Sequence, residues 1–286
     1  MDRVFIAWLN NLQFKGASGM TDTTAASRRF EIGRVISGTF GVIGRNFGPF
    51  ALMALLLGGL PNLLASFGQI WISGGGDKSF SPQMVGGSLV GLVVVIVCAF
   101  VLQAAIVHAT VADLNGRRVV MGESLKAGLN NWLPLLGLAI LMGLGLAIGF
   151  VLLIVPGIIL AVMWSVAVPA KVVEKIGVTD AFQRSRDLTR GRRWAIFGLF
   201  VIYVIALWII EALIMAAVMP LMLSKGLPTP EAMTGFTAVG ISTMVASAVI
   251  ATITTLISTA GGATLYSELR STREGVGPEA MASVFD

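Results

Sequence analysis

The sequence predicts an all-α polytopic membrane protein: six transmembrane helices in three hairpins, each preceded by a cytoplasmic interfacial amphipathic helix. Three observations carry that prediction. Of 286 residues, 56% are hydrophobic and only 12% charged, about half the charge a soluble domain uses to cover its surface. The uncharged stretches reach the roughly 20 apolar residues that a helix needs to cross a bilayer. The basic residues gather at alternate ends of those stretches. One cysteine, Cys98, sits in an apolar run, so neither an intramolecular disulfide nor a thiolate metal cluster is expected. A net charge of +5 would suggest nucleic acid in a soluble protein. At the ends of apolar runs it suits anionic lipid head groups instead, and no nucleic-acid partner is expected.

Residues 1–29 read as a flexible tail. Val4 to Leu9 is too short for the core of a secretory signal, and polar residues follow it directly. Met20-Thr21-Asp22 resembles an ordinary soluble N-terminus, so Met20 is one candidate start and a genuine extension the other. Residues 30–269 form the membrane domain and 270–286 a disordered tail. Ile32, Val35, Ile36, Thr39, Phe40, Ile43 and Phe47 recur at helical spacing, with Glu31, Arg34 and Arg45 off the stripe. Four glycines weaken that helix, so it needs a surface, and a membrane interface supplies one.

The first span is expected over about Pro49–Ile72, kinked where the Pro61 ring blocks a carbonyl. A glycine-rich loop from Ser73 to Lys78, with Pro82, follows, then a second span over about Gly86–Ala112. Met121, Leu125, Gly128, Leu129 and Trp132 form a second amphipathic stripe. The uncharged run from Ala127 to Ala170 is enough for two spans if Pro156-Gly157 turns between them, giving Leu133–Val155 and Ile158–Val173. The fourth is short, and a re-entrant hairpin is the alternative. In a third amphipathic stretch, Asp180 is expected to cap a helix with inner residues Ala181, Phe182, Ser185 and Leu188, ended by Gly191. Trp194–Met222 is a fifth span, Lys225–Glu231 a loop and Phe236–Leu265 a sixth span.

Eighteen of the 20 lysines and arginines fall on one side of this arrangement; only Lys78 and Lys225 fall on the other. The positive-inside rule therefore places both termini in the cytoplasm. The order of basic amphipathic helix, aromatic (Phe47, Trp132, Trp194), span, turn and span recurs three times. Small-residue pairs Gly87/Gly91, Gly145/Gly149 and Ser258/Gly262 permit close helix packing, expected within one chain.

No catalytic motif stands out. There is one histidine, His108, and no pair of carboxylates at helical spacing within a span, whereas metal-assisted phosphodiester cleavage needs both. The expectation is a protein without catalytic residues, metal or cofactor. Glu211 is the one ionisable residue deep in a span. Burying its charge costs on the order of 3 kcal/mol, so it should face protein or water. It reads either as a proton, cation or lipid-amine site, or as a protonated carboxyl bonded to the Ser and Thr residues of the sixth span, Ser242 to Thr259. His108, near Gln103 at the cytoplasmic end of the second span, suits a structural hydrogen bond. Arg184, Arg186, Arg190, Arg192 and Arg193 are candidates for binding lipid phosphate head groups, against ordinary positive-inside charge. Glu174, Asp180 and Asp187 are candidates to pair with some of them.

Pro156-Gly157-Ile158, Trp164, Pro169, Glu174, Ala181, Arg184-Ser185, Leu188, Gly191 and Trp194 resemble a bacterial membrane family, as do Tyr266-Ser267-Glu268-Leu269-Arg270 and Glu274-Gly275. This is the YciC-like group, related to the membrane domain of glycerophosphoryl diester phosphodiesterase. The resemblance covers roughly residues 30–275. It implies a six-helix inner-membrane protein with no assigned reaction. In the phosphodiesterases this domain precedes a soluble catalytic barrel; the residues after Arg270 are too few for one, so no reaction is carried over. The sequence thus favours a non-enzymatic inner-membrane protein of the bacterial cell that interacts with lipid or organises the membrane. A small transporter using Glu211 and a membrane accessory of glycerophosphodiester metabolism are the alternatives. A membrane-protein partner is a further expectation, and the oligomeric state is left open.

Overall fold

The computed structural model describes residues 30–73, 82–223 and 238–274. The N-terminal tail, Lys78, Lys225, both expected loops around them and residues 275–286 lie outside the described residues.

The described residues are helical, with no strand. In chain order the helices are α1 Ile32–Arg45, α2 Phe47–Ala54, α3 Leu60–Ser73, α4 Pro82–Leu114, α5 Met121–Leu152, α6 Ile154–Met163, α7 Ala167–Glu174, α8 Val178–Thr189, α9 Arg193–Leu223 and α10 Ala238–Glu274. Six stretches are long and apolar enough to cross a membrane: Phe47–Ala65, Val85–Leu114, Met121–Leu152, Ile154–Glu174, Arg193–Ala216 and Ser247–Glu274. The chain is therefore an all-α multi-pass membrane protein.

Several boundaries differ from expectation, each for a local reason. Pro61 does not kink a simple α-helix. A π-helical turn over Leu55–Gly59 joins α2 to α3, with the Leu60 amide bonding back to the Leu55 carbonyl. Widening the turn there absorbs the missing proline donor just downstream. The second amphipathic stripe is not a separate surface helix, since α5 runs unbroken through Trp132 and Pro134 to Leu152. The turn between the third and fourth spans falls at Leu153, in extended conformation, and Pro156-Gly157 lies in the first turn of α6. Proline is tolerated there because the first-turn amides have no intrahelical acceptor. The fourth span is itself interrupted, α6 ending at Met163 and α7 starting at Ala167. Finally, α10 continues past Arg270 to Glu274; those residues are helical because their side chains are engaged, as described below.

The last helix, α10, is the hub. It packs against α1, α4, α7, α8 and α9. One buried cluster gathers Val42, Phe50, Met53, Leu102, Ile106 and Leu256 from α1, α2, α4 and α10. A second gathers Val35, Val162, Val166, Leu188, Ile196 and Tyr266 from α1, α6, α8, α9, α10 and the α6–α7 break. The most extensive helix contact joins α4 to α5, the second and third spans, rather than the two members of an expected hairpin. Of the small-residue pairs, Gly145/Gly149 makes a close approach, whereas Gly262 has open space beside it. A Cβ on Gly149 would lie 3.0 Å from Gly157 Cα, so α5 and α6 touch backbone to backbone within one chain. By contrast, α9 is peripheral: Ile196 near its start is buried, but its most apolar stretch is not, as expected of a helix that faces lipid.

Candidate functional site

The charged ends of α1, α7, α8, α9 and α10 converge, and α8 is the element around which they are arranged. Gly177 is its N-cap; Asp180, expected as the cap, lies in the first turn instead, where a carboxylate meets the positive end of the helix. Its inner stripe, Ala181, Ser185, Leu188 and Thr189, is buried. Ser185 and Thr189 stitch α8 to the break in the fourth span. Ser185 Oγ donates to the Met163 carbonyl at 2.9 Å and accepts from the Val166 amide at 3.3 Å; Thr189 Oγ1 lies 3.4 Å from the same carbonyl. These hydroxyls satisfy backbone groups that the interruption would otherwise leave unpaired. Arg190 closes the helix, and Gly191, at φ +83°, reverses the chain into α9. Glycine adopts that left-handed conformation without steric cost.

The flank of α8 facing α10 is a closed polar network. Arg184 Nε donates to both oxygens of Glu174, at 2.8 and 2.9 Å. The Tyr266 hydroxyl donates to Glu174 Oε1 at 2.7 Å, and Arg184 also pairs with Glu274. Arg270 Nε bonds Glu274 at 2.9 Å one turn along α10. Burial would lower the pKa of Arg184, but its bonds to Glu274 and Glu174 outweigh that and raise it. Nearby, Arg192 bonds the Thr272 hydroxyl and lies 5.9 Å over the Phe30 ring. Arg34 holds Glu268 at 2.9 Å, and Arg45 holds Asp113 at 2.5 Å with Asn46 on the other carboxylate oxygen at 2.7 Å. Bonding to Glu268 and to Asp113 raises the pKa of Arg34 and Arg45 respectively.

The opposite flank of α8 borders an open groove of about 870 Å³ between α8, the end of α6 and the start of α9. Arg186, Arg190 and Arg193 line it with Asp187, Gln183, Trp164, Phe182 and Trp194. Trp164 and Phe182 meet edge to face at 4.8 Å, and Trp194 is 86% exposed. The Nε of Arg193 is shielded from solvent and has no acceptor.

The structure thus divides the five candidate arginines. Arg184 and Arg192 are committed to internal partners, while Arg186, Arg190 and Arg193 line the groove. Of the candidate carboxylates, Glu174 pairs with Arg184, whereas Asp180 and Asp187 enter no ion pair among the described residues. Glu211 is exposed on α9 and bonds no Ser or Thr of α10 among the described residues, because α9 touches the bundle only sparsely. It does not line the groove beside α8. The Nδ1 of His108 lies 3.5 Å from Ser124 Oγ, across α4 and α5. Among the described residues no three His, Cys, Asp or Glu side chains gather as metal ligands. Sequence reasoning missed the buried lysine Lys171, 8% exposed, and the place of Glu268 and Thr272 in the polar contacts. The basic residue count marked this end of the molecule, but no local pattern pairs residues so far apart in the chain.

Residues 138–269 match the model of a domain of unknown function (DUF7847). That stretch contains the whole groove and the Glu174, Arg184 and Tyr266 part of the network. No curated protein and no solved structure matches the chain.

Proposed function

We propose that this is a non-enzymatic protein of the bacterial inner membrane that interacts with anionic lipid, with its charged end and both termini in the cytoplasm. The observation that carries the reading is the division of the arginines. Internal carboxylates and hydroxyls take up Arg34, Arg45, Arg184 and Arg192, yet Arg186, Arg190 and Arg193 are held around an amphipathic groove. Each basic residue near an anionic surface contributes about 1 kcal/mol of attraction. The near-complete placement of lysine and arginine at one side supports the cytoplasmic orientation.

Mild detergent extraction followed by lipid quantification tests this function. Lipid retained by the protein is expected to be enriched in anionic phospholipid relative to the bulk membrane. Retained lipid of bulk composition, or none, would sink the reading. In the accompanying enzyme assay, purified protein with glycerophosphodiesters and a divalent metal is expected to show no turnover.

Kinship with the YciC-like group remains part of this proposal. It is supported by the meeting of Glu174, Arg184, Tyr266, Arg270 and Glu274, all quoted for the resemblance, in one network. The exposed position of Glu211, away from the groove beside α8, weighs against a transport role.

A further inference from the structure

We propose that the groove between α8 and the start of α9 holds one anionic phospholipid, with its phosphate between Arg186, Arg190 and Arg193 and its acyl chains leaving past Trp194 into the bilayer. This rests on the lipid-interaction reading above and goes beyond it by assigning one discrete site, its residues and its ligand class.

Four features of the groove point the same way. The first is charge. Three guanidinium groups face one carboxylate, Asp187, and none of the four takes part in an ion pair among the described residues. A phosphodiester supplies the missing negative charge, and its oxygens match the donor geometry of guanidinium groups. Asp187 remains as an acceptor for a head-group hydroxyl.

The second is an unmet donor. Arg193 Nε is shielded from water without an acceptor. Such a donor is costly to leave unmade, and a shift of the Arg193 side chain toward a phosphate in the groove that it lines would meet it.

The third is size. About 870 Å³ lies within the roughly 300–1,000 Å³ usual for ligand pockets, enough for a head group and the first part of its chains.

The fourth distinguishes a lipid from a soluble phosphate. One wall is aromatic, built from Trp164, Phe182 and Trp194. Trp194 begins a stripe that continues through Val201, Ile202 and Ile205, all exposed on α9. This spacing places them on one helix face. The groove therefore opens sideways onto an apolar flank, where a tryptophan at the interface is at home. A soluble anion would make no use of that flank.

Native mass spectrometry of the delipidated full chain tests the site. Phosphatidylglycerol, phosphatidylcholine or inorganic phosphate is added back in turn. The parent is expected to bind one phosphatidylglycerol tightly and neither of the others with comparable strength. The triple variant Arg186→Gln/Arg190→Gln/Arg193→Gln should lose affinity for that lipid by about tenfold or more. The control Arg118→Gln/Lys126→Gln/Arg273→Gln, which removes equal charge from exposed positions, should retain it. If the triple variant does not fold, Trp194→Ala at the groove rim is read instead; it should weaken the first lipid while leaving later, weaker lipids unchanged. Equal losses in triple variant and control would overturn the site in favour of diffuse charge, leaving the general lipid reading standing. Tight binding of inorganic phosphate alone would overturn the lipid assignment. Parent protein that binds no lipid selectively would overturn both.

Discussion

Glu174 is the residue on which the charged end most depends. Its carboxylate accepts from Arg184 twice and from Tyr266 once, bringing together α7, α8 and α10. It is 17% exposed and Arg184 28%, so solvent screens the pair only in part. Glu174→Gln should destabilise the protein by about 2 kcal/mol, and Tyr266→Phe by about 1 kcal/mol, both read as lowered thermal unfolding midpoints in detergent. An unchanged midpoint for Glu174→Gln would show that the network does not hold the helices together. Lys175 offers the opposite test. It ends α7 at φ +53°, the left-handed conformation that non-glycine residues rarely adopt. Lys175→Gly should stabilise by roughly 0.5–1 kcal/mol. These residues show where sequence reading stops. That Glu174 and Arg184 could pair is legible from their proximity in the chain. Which arginines face inward is not, because the partners of Arg184 and Arg192 on α10 lie 90 and 80 positions away. Charge composition locates a basic surface but does not divide it between internal bonds and a ligand groove.

At the scale of single elements, hydropathy located the spans well and their internal breaks poorly. An interfacial stripe and a spanning segment share one helical period. Nothing at Ala127–Trp132 therefore signals that α5 continues unbroken, and nothing at Trp164 signals that the fourth span stops. Proline marked disturbances, but whether it kinks a helix, follows a π-turn or starts a helix depends on the backbone bonds around it. The α5–α6 contact gives an element-scale prediction. A Cβ at Gly145 would fall 2.4 Å from the Trp164 ring, which Phe182 already braces at 4.8 Å. Gly145→Ala should cost about 1–3 kcal/mol through overpacking and alter tryptophan emission, since the ring must move. Loss of stability without a spectral change would place the strain elsewhere.

For the whole molecule, the expected orientation yields a direct test. In a Cys98→Ala background, single cysteines at Arg118 and Arg273 are exposed positions on the basic side. An impermeant thiol reagent should label neither in intact spheroplasts and both after permeabilisation. Labelling of either before permeabilisation would reverse the topology. The sequence reading reached the membrane class and the span count because both follow from composition along the chain. It did not anticipate that α10 would be the hub, or that the second and third spans would pack most extensively. Which helices touch is decided by shape, through small residues and interlocking side chains, and lipid-facing and protein-facing apolar residues look alike in composition.

The interruption between α6 and α7 also has a consequence for how the protein is made. Its freed backbone groups are met by Ser185 and Thr189, residues synthesised some twenty positions after the break. As the fourth span emerges into the membrane its backbone is incomplete, and it stays so until α8 has been translated and has docked. A chain halted after Ile176 should therefore be inserted yet recognised as unfinished by membrane proteases and cleared quickly, whereas one extended through Gly191 should persist longer. Pulse-chase measurement of the two lifetimes would show whether the basic helix, beyond whatever it binds, acts as a checkpoint in the protein's own biogenesis.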